Sequence, residues 1–109
     1  MRLSPRDPIM WAYMASKAIA LIMLGRYQEG LDCALKAQRQ PNAALWAVLP
    51  EASALALLDR IDDARGALDR ARQLQRNISV KFVDNVLPIT DKTYHDIFVG
   101  GLVKAGLPE

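Results

Sequence analysis

Leu24-Gly25-Arg26-Tyr27-Gln28-Glu29-Gly30 returns 34 residues later as Leu58-Asp59-Arg60-Ile61-Asp62-Asp63-Ala64. The likeness extends outward from both turns. Ala18, Ala20 and Leu21 return as Ala52, Ala54 and Leu55, and Ala37 returns as Ala71. Each stretch joins an apolar helical run to a more polar one. A helix–turn–helix unit that recurs at this period cannot bury its apolar face alone, so copies stack on one another. The expected fold class is therefore all-α, with paired helices as the building unit.

The bulk composition agrees with that expectation. A chain of 109 residues is one domain's worth, long enough for about three such hairpins. Half of it is hydrophobic, yet only seven residues are aromatic: two Trp, three Tyr and two Phe. Small and aliphatic side chains suit closely packed helices better than a sheet. A formal charge of +2 is too small to imply a nucleic-acid partner. The single Cys33 excludes an internal disulfide framework and fits a reducing, cytoplasmic setting. No secretory leader is visible after Met1-Arg2. The apolar run Ile9–Leu24 contains Ser16 and Lys17 and is shorter than the roughly 20 residues of a membrane span. It reads as a buried helix, and no membrane insertion is expected.

Six helices are expected along the chain. Residues 1–8 form an extended lead-in, and Asp7-Pro8 supplies a cap and a first-turn proline. Helix one runs from Pro8 to Leu24 and stops at Gly25, which accepts the left-handed conformation that closes a helix. Helix two covers Tyr27 to Gln40 and is broken by Pro41-Asn42. Helix three runs from Asn42 or Ala43 to Leu58. Its Pro50 implies either a kink near Ala47–Pro50 or a late start with the proline in the first turn. Helix four spans Ile61 to Gln75, with Ala64, Ala67, Leu68, Ala71 and Leu74 at steps of three and four. Ser79 caps a short helix through Leu87, and Asp91 caps a last helix from Lys92 to Lys104. Gly100-Gly101 should weaken that last helix by up to about 1 kcal/mol each.

Two helices of a hairpin approach closely only where side chains are small. Ala18, Gly30 and Ala37 hold such positions in the first unit; Ala52, Ala64 and Ala71 hold them in the second. Tyr27 and Ile61 follow the two turns and are expected to plug the base of each hairpin. Glu29 and Asp63 lie early in their helices, where a carboxylate meets the positive end of the helix dipole.

With these features the sequence resembles the tetratricopeptide repeat (TPR) family. The units are residues 11–44 and 45–78, with a degenerate third hairpin over 79–105. Gly25-Arg26-Tyr27-Gln28-Glu29-Gly30 is close to the family's usual Gly-x-Tyr-x-Glu-Ala. Asp59 departs from the turn glycine, and the third unit has no such turn. A narrower resemblance joins the opening Arg2-Leu3-Ser4-Pro5-Arg6-Asp7-Pro8, the two turns Gly25-Arg26-Tyr27 and Asp59-Arg60-Ile61, Leu87-Pro88 and the ending Gly101-Leu102-Val103-Lys104-Ala105-Gly106-Leu107-Pro108-Glu109. Together these are similar to the C-terminal TPR region of bacterial class III adenylate cyclases, and to tails that follow winged-helix transcription-regulator domains. What the resemblance implies is a TPR-like superhelix of about three hairpins that binds a protein or peptide. None of the catalytic residues of a cyclase maps onto this chain, so no enzyme activity and no cofactor are expected of it.

The chemistry-bearing residues support no catalytic reading. His95 is the only histidine. Its neighbours Tyr94 and Asp96 should point to other faces of the helix, which leaves a surface or partly packed side chain. Cys33 has neither a second cysteine nor an evident base partner, so zinc or nucleophilic roles are not expected. Gly100-Gly101 lacks the Lys and Ser/Thr of a phosphate loop. Asp62 and Asp63 read as helix-starting charges rather than as an acid/base pair. Arg60, Arg65, Arg70, Arg72 and Arg76 alternate with Asp62, Asp63 and Asp69. Spacings such as Asp62–Arg65 and Asp69–Arg72 fit salt bridges on a solvated face, not a nucleic-acid surface.

By the TPR resemblance, the first helix of each unit lines the concave face. The partner-binding candidates are then Ala12, Ala15, Ile19, Ile22 and Met23 in unit one, and Trp46, Leu49, Ser53, Ala56 and Leu57 in unit two. This lining is apolar and lacks the lysines and asparagines that grip an acidic peptide tail, so an apolar helix or peptide is the expected partner. Helix one, with Ile9, Met10, Trp11, Tyr13 and Met14, is apolar nearly all round. A preceding repeat or a second copy of the chain would cover it, and a homodimer through helix one is the alternative expectation. Trp11 and Trp46 are read as core residues or as partner anchors.

Overall fold

In the computed structural model the backbone is described for residues 8–38, 44–87 and 89–108, and side chains for 14–38, 46–87 and 89–108. The described residues form six α-helices and no strand: α1 (Pro8–Met23), α2 (Tyr27–Gln38), α3 (Ala44–Leu57), α4 (Ile61–Leu74), α5 (Val80–Val86) and α6 (Lys92–Ala105). The lead-in and cap expected over residues 1–7, and the Pro41-Asn42 break, lie outside the described residues.

The repeated turns are repeated structures. At the end of α1, Gly25 takes φ +84°; at the end of α3, Asp59 takes φ +63°. In both turns the second residue bonds back five positions, Arg26 N to Leu21 O (2.9 Å) and Arg60 N to Leu55 O (2.8 Å). These are Schellman closures, which need a left-handed residue where glycine is least strained and aspartate is tolerated. α6 ends the same way at Gly106 (φ +117°), with Leu107 N on Leu102 O at 3.0 Å. The polar starts of the following helices also match. Arg26 pairs with Glu29, and Arg60 with Asp63 at 2.9 Å, both three residues apart.

Pro50 lies inside α3, six residues beyond its start, so the late-start alternative does not hold. The ring is fully buried. Both expected caps form: Ser79 Oγ accepts from Phe82 N, and Asp91 Oδ1 from Tyr94 N, each at 3.1 Å.

α1 pairs with α2, and α3 with α4, as two hairpins, and α2 packs on α3 to join them. Ala15, Ala37 and Ala47 meet in one buried cluster where α1, α2 and α3 converge. The expected small positions show why they are small. A methyl added at Gly30 would lie 2.7 Å from Ile22 Cγ1 and 3.0 Å from the Ala18 carbonyl. The second unit tolerates Ala64 at the matching place, and there Ala56 stands where the first has Ile22. Volume is thus traded between the two helices of each hairpin. Gly30→Ala should destabilise the chain by about 1–3 kcal/mol. Gly66, with open space where a Cβ would be, should gain up to about 1 kcal/mol as alanine. Thermal melts of the two variants check the opposite signs.

The last helix decides which face stays open. α6 packs mainly on α3, and also on α1 and α4. Its Phe98, Leu102 and Ala105 are buried in the main core with Leu49, Ala52, Ala56 and Leu68. Three polar ties hold its C-terminal end. Lys104 reaches Asp59 at 2.6 Å, Arg72 donates to Gly106 O at 3.0 Å, and Val80 N donates to Pro108 O at 2.8 Å.

Candidate functional site

The concave-face candidates are packed within the fold. Ala15, Ile19, Ile22, Leu49, Ser53 and Ala56 are buried, and Met23, Trp46 and Leu57 are half-buried. The side chain of Ala12, like that of Trp11, lies outside the described residues. α6 packs along the α3 part of this lining and touches α1, while Ala15 is closed off by Ala37 and Ala47. Ser53 Oγ donates to the Phe98 carbonyl at 2.8 Å, and a Cβ on Gly101 would come 2.8 Å from the Ser53 carbonyl and 3.0 Å from Leu57 Cγ. Ser53, Leu57, Gly101 and Phe98 therefore form one contact inside the chain. Trp46 packs against the main core on its buried side.

Open clefts lie on the opposite, outer side of each hairpin, and they are built from matching residues. In unit two a cleft of about 450 Å³ is lined by Glu51, Leu55, Asp63, Gly66, Ala67 and Arg70. In unit one a smaller cleft of about 210 Å³ is lined by Lys17, Leu21, Glu29, Asp32, Cys33 and Lys36. All six pairs are 34 residues apart. The unit-two cleft adds Arg60, Asp62 and a wall. α2 contributes Leu31 and Leu35 to the unit-two cleft, and no described helix stands in that place beside unit one.

The floor of the unit-two cleft holds a polar group that sequence reasoning missed. Glu51 is 6% exposed. Its Oε1 accepts from Gln38 Nε2 and its Oε2 from Arg70, both at 2.5 Å. Arg70 also reaches Gln38 Oε1 at 3.3 Å. Three helices, α2, α3 and α4, are thus tied through one buried carboxylate whose two oxygens are both satisfied. Arg70 lies on the solvated face, as its helix position predicts, and its guanidinium also turns onto Glu51. Among the described residues Asp69–Arg72 forms as expected at 3.0 Å, but Asp62–Arg65 does not, and Arg60 takes Asp63 instead. The missed signal was an acid inside an otherwise apolar helix, at the position where the first repeat carries Lys17.

His95 is more engaged than helix geometry suggested. Its Nε2 lies 2.7 Å from Asp84 Oδ1 on α5, and its Nδ1 lies 3.1 Å from Asp96 Oδ1. The expectation that consecutive residues diverge fails for Asp96, whose side chain folds back to the ring. Hydrogen bonds to Asp96 and then Asp84 hold the imidazolium above its usual range. A raised pKa in the folded chain makes the bridge's contribution complete below about pH 6.5, with loss as pH rises through the folded value. Thermal midpoints of the parent and His95→Gln should therefore differ most below about pH 6.5 and draw together as pH rises through the raised folded value. A gap that persists unchanged at pH 9 would contradict the charged bridge.

Cys33 is buried and unpaired. Among the described residues no three His, Cys, Asp or Glu side chains gather where a cation could be held, and no helix is long and apolar enough to cross a membrane. No family model, curated protein or solved structure matches this chain.

Proposed function

We propose that this chain is a protein–protein interaction module assembled from TPR-like units, acting as the C-terminal regulatory or assembly region of a larger bacterial signalling protein such as an adenylate cyclase. The observation that carries the interaction reading is one hairpin design used twice. Turn, ion pair and outer cleft all recur at the same offset, which supports a stacking scaffold whose free edges meet other helices. The cyclase link rests on the resemblance of the opening and closing segments. The reading implies a cytoplasmic, non-catalytic chain that takes a protein or peptide. Because α6 packs along the α3 part of the inner lining, binding there would require α6 to leave; the outer and edge faces need no such change.

A second reading, homodimerisation through α1, is favoured by Leu24, which is 62% exposed at the end of that helix. The two readings separate in a two-hybrid selection with this chain as bait, followed by titration of purified components. The interaction module predicts saturable one-to-one binding with a Kd of about 1 μM or tighter, near −8 kcal/mol. Failure of every selected partner to bind in purified form would count against it, and a self-associating bait would favour the second reading.

A further inference from the structure

The repeat supplies an internal control for the exposed face of α1. In unit two, the α3 stripe Glu51, Ala54 and Leu58 is covered: Glu51 and Ala54 are buried and Leu58 is half-buried against the core. α2 provides cover on this side, since Gln38 bonds both Glu51 and the Ala47 carbonyl, and Leu31 and Leu35 wall the adjoining cleft. The matching α1 stripe is Lys17, Ala20 and Leu24, and all three are exposed. The first unit therefore presents the surface on which the second unit seats a helix.

The charges say what that helix must carry. Where unit two has Glu51 with Arg70, unit one has Lys17 with Lys36. Of the acids in the unit-one cleft, Glu29 is taken by Arg26, and Asp32 accepts from Gln28 at 3.1 Å. Among the described residues Lys17 and Lys36 belong to no ion pair. The occupant of the α3 seat uses Leu31, Leu35 and Gln38, two aliphatic residues four apart and a polar one three further on. Two lysines in place of a carboxylate and a guanidinium call for an acid at that last position.

We propose that the α1 stripe Lys17–Ala20–Leu24 docks a helix of a partner protein, seated as α2 sits on α3. That helix presents two aliphatic side chains four residues apart and a carboxylate three residues after the second. This deepens, and rests on, the interaction-module reading. A small residue at Ala20 lets the backbones approach, Leu24 gives apolar area, and Lys17 fixes the register of the incoming helix.

The test uses the full chain and a defined probe. The probe is the peptide of residues 27–38 with Cys33→Ala and Gln38→Glu, held helical by a staple between positions 28 and 32. Titrated into isotope-labelled chain, it should give saturable NMR shifts centred on Lys17, Ala20 and Leu24. Ala20→Arg, at an exposed position, should keep the thermal midpoint and weaken binding by about 10-fold or more. Lys17→Glu should weaken this probe by about 10-fold and strengthen the Gln38→Lys probe by a similar factor. Shifts on another surface would overturn the docking site while leaving an interaction module standing. Shifts spread over the α2–α3 contact would mean displacement of α2 and would overturn it too. So would the absence of shifts at millimolar probe, affinity indifferent to both substitutions, or a probe-free chain that dimerises through the same stripe.

Discussion

Gly101→Ala should destabilise the chain by about 1–3 kcal/mol, although alanine is the better helix former. The added methyl would meet the Ser53 carbonyl at 2.8 Å, and the Ser53 hydroxyl still closer. A backbone atom cannot swing aside as the tip of a long side chain can. α6 must therefore lift from α3, which strains the Ser53–Phe98 hydrogen bond and opens the core at Phe98. Gly100→Ala is the control. It has nothing within 4 Å of the new Cβ and should gain up to about 1 kcal/mol from propensity alone. Two adjacent glycines thus respond with opposite sign. Each kcal/mol corresponds to about 4–8 °C in a domain near this size, so thermal melts resolve the pair. Amide exchange at Phe98 and Leu102 in Gly101→Ala should rise before exchange in α3 and α4 does.

Arg70→Met should cost about 2 kcal/mol by leaving Glu51 buried with only Gln38 as partner. That is below the roughly 3–5 kcal/mol of a broken, fully buried pair, because the Arg70 side chain is 49% exposed and its charge was partly solvated already. The informative comparison is the double variant. Glu51→Met together with Arg70→Met removes the stranded charge and fills its space, so it should be more stable than Arg70→Met alone. Denaturant titration of the parent, both single variants and the double variant gives the coupling directly. Equal stability of Arg70→Met and the parent would mean that the ion pair contributes nothing measurable.

What was legible in the sequence was local. The helix starts at Ser79 and Asp91 and the stop at Gly25 act within a few residues of themselves, and the small residues Ala18, Gly30, Ala52 and Ala64 act within a single hairpin. Asp59 read as a departure from the turn glycine, yet at the place aligned with Gly25 it takes the same left-handed conformation. What stayed hidden was non-local. Ser53 and Phe98 are 45 residues apart, and nothing in either segment announces that α6 lies along α3. Gly101 carried the trace of that contact, but a glycine within a helix reads as a defect until the backbone it faces is known. Glu51 was obscured differently. Its repeat mate is Lys17, so comparing the units gave opposite charges rather than a shared role, and its partners come from two other helices. The spacing that groups Leu49, Ser53, Ala56 and Leu57 on one face of α3 could not say that the chain's own last helix packs against Ser53 and Leu57.

The same asymmetry between the two units supports the functional account. A helix face left uncovered either stays solvated or meets another helix. Here the stripe that is closed in unit two is open in unit one, with charges changed from a satisfied pair to two cations. That pattern favours a different polypeptide over a second copy, since two copies meeting through this face would bring lysines together.

Light scattering of the chain across a concentration series, alone and with its selected partner, separates a partner-binding module from a self-associating one. The account predicts a monomer of 12.1 kDa at every concentration, and a one-to-one complex when the partner is added. A stable dimer of the chain by itself, with no mass gained from the partner, would contradict it.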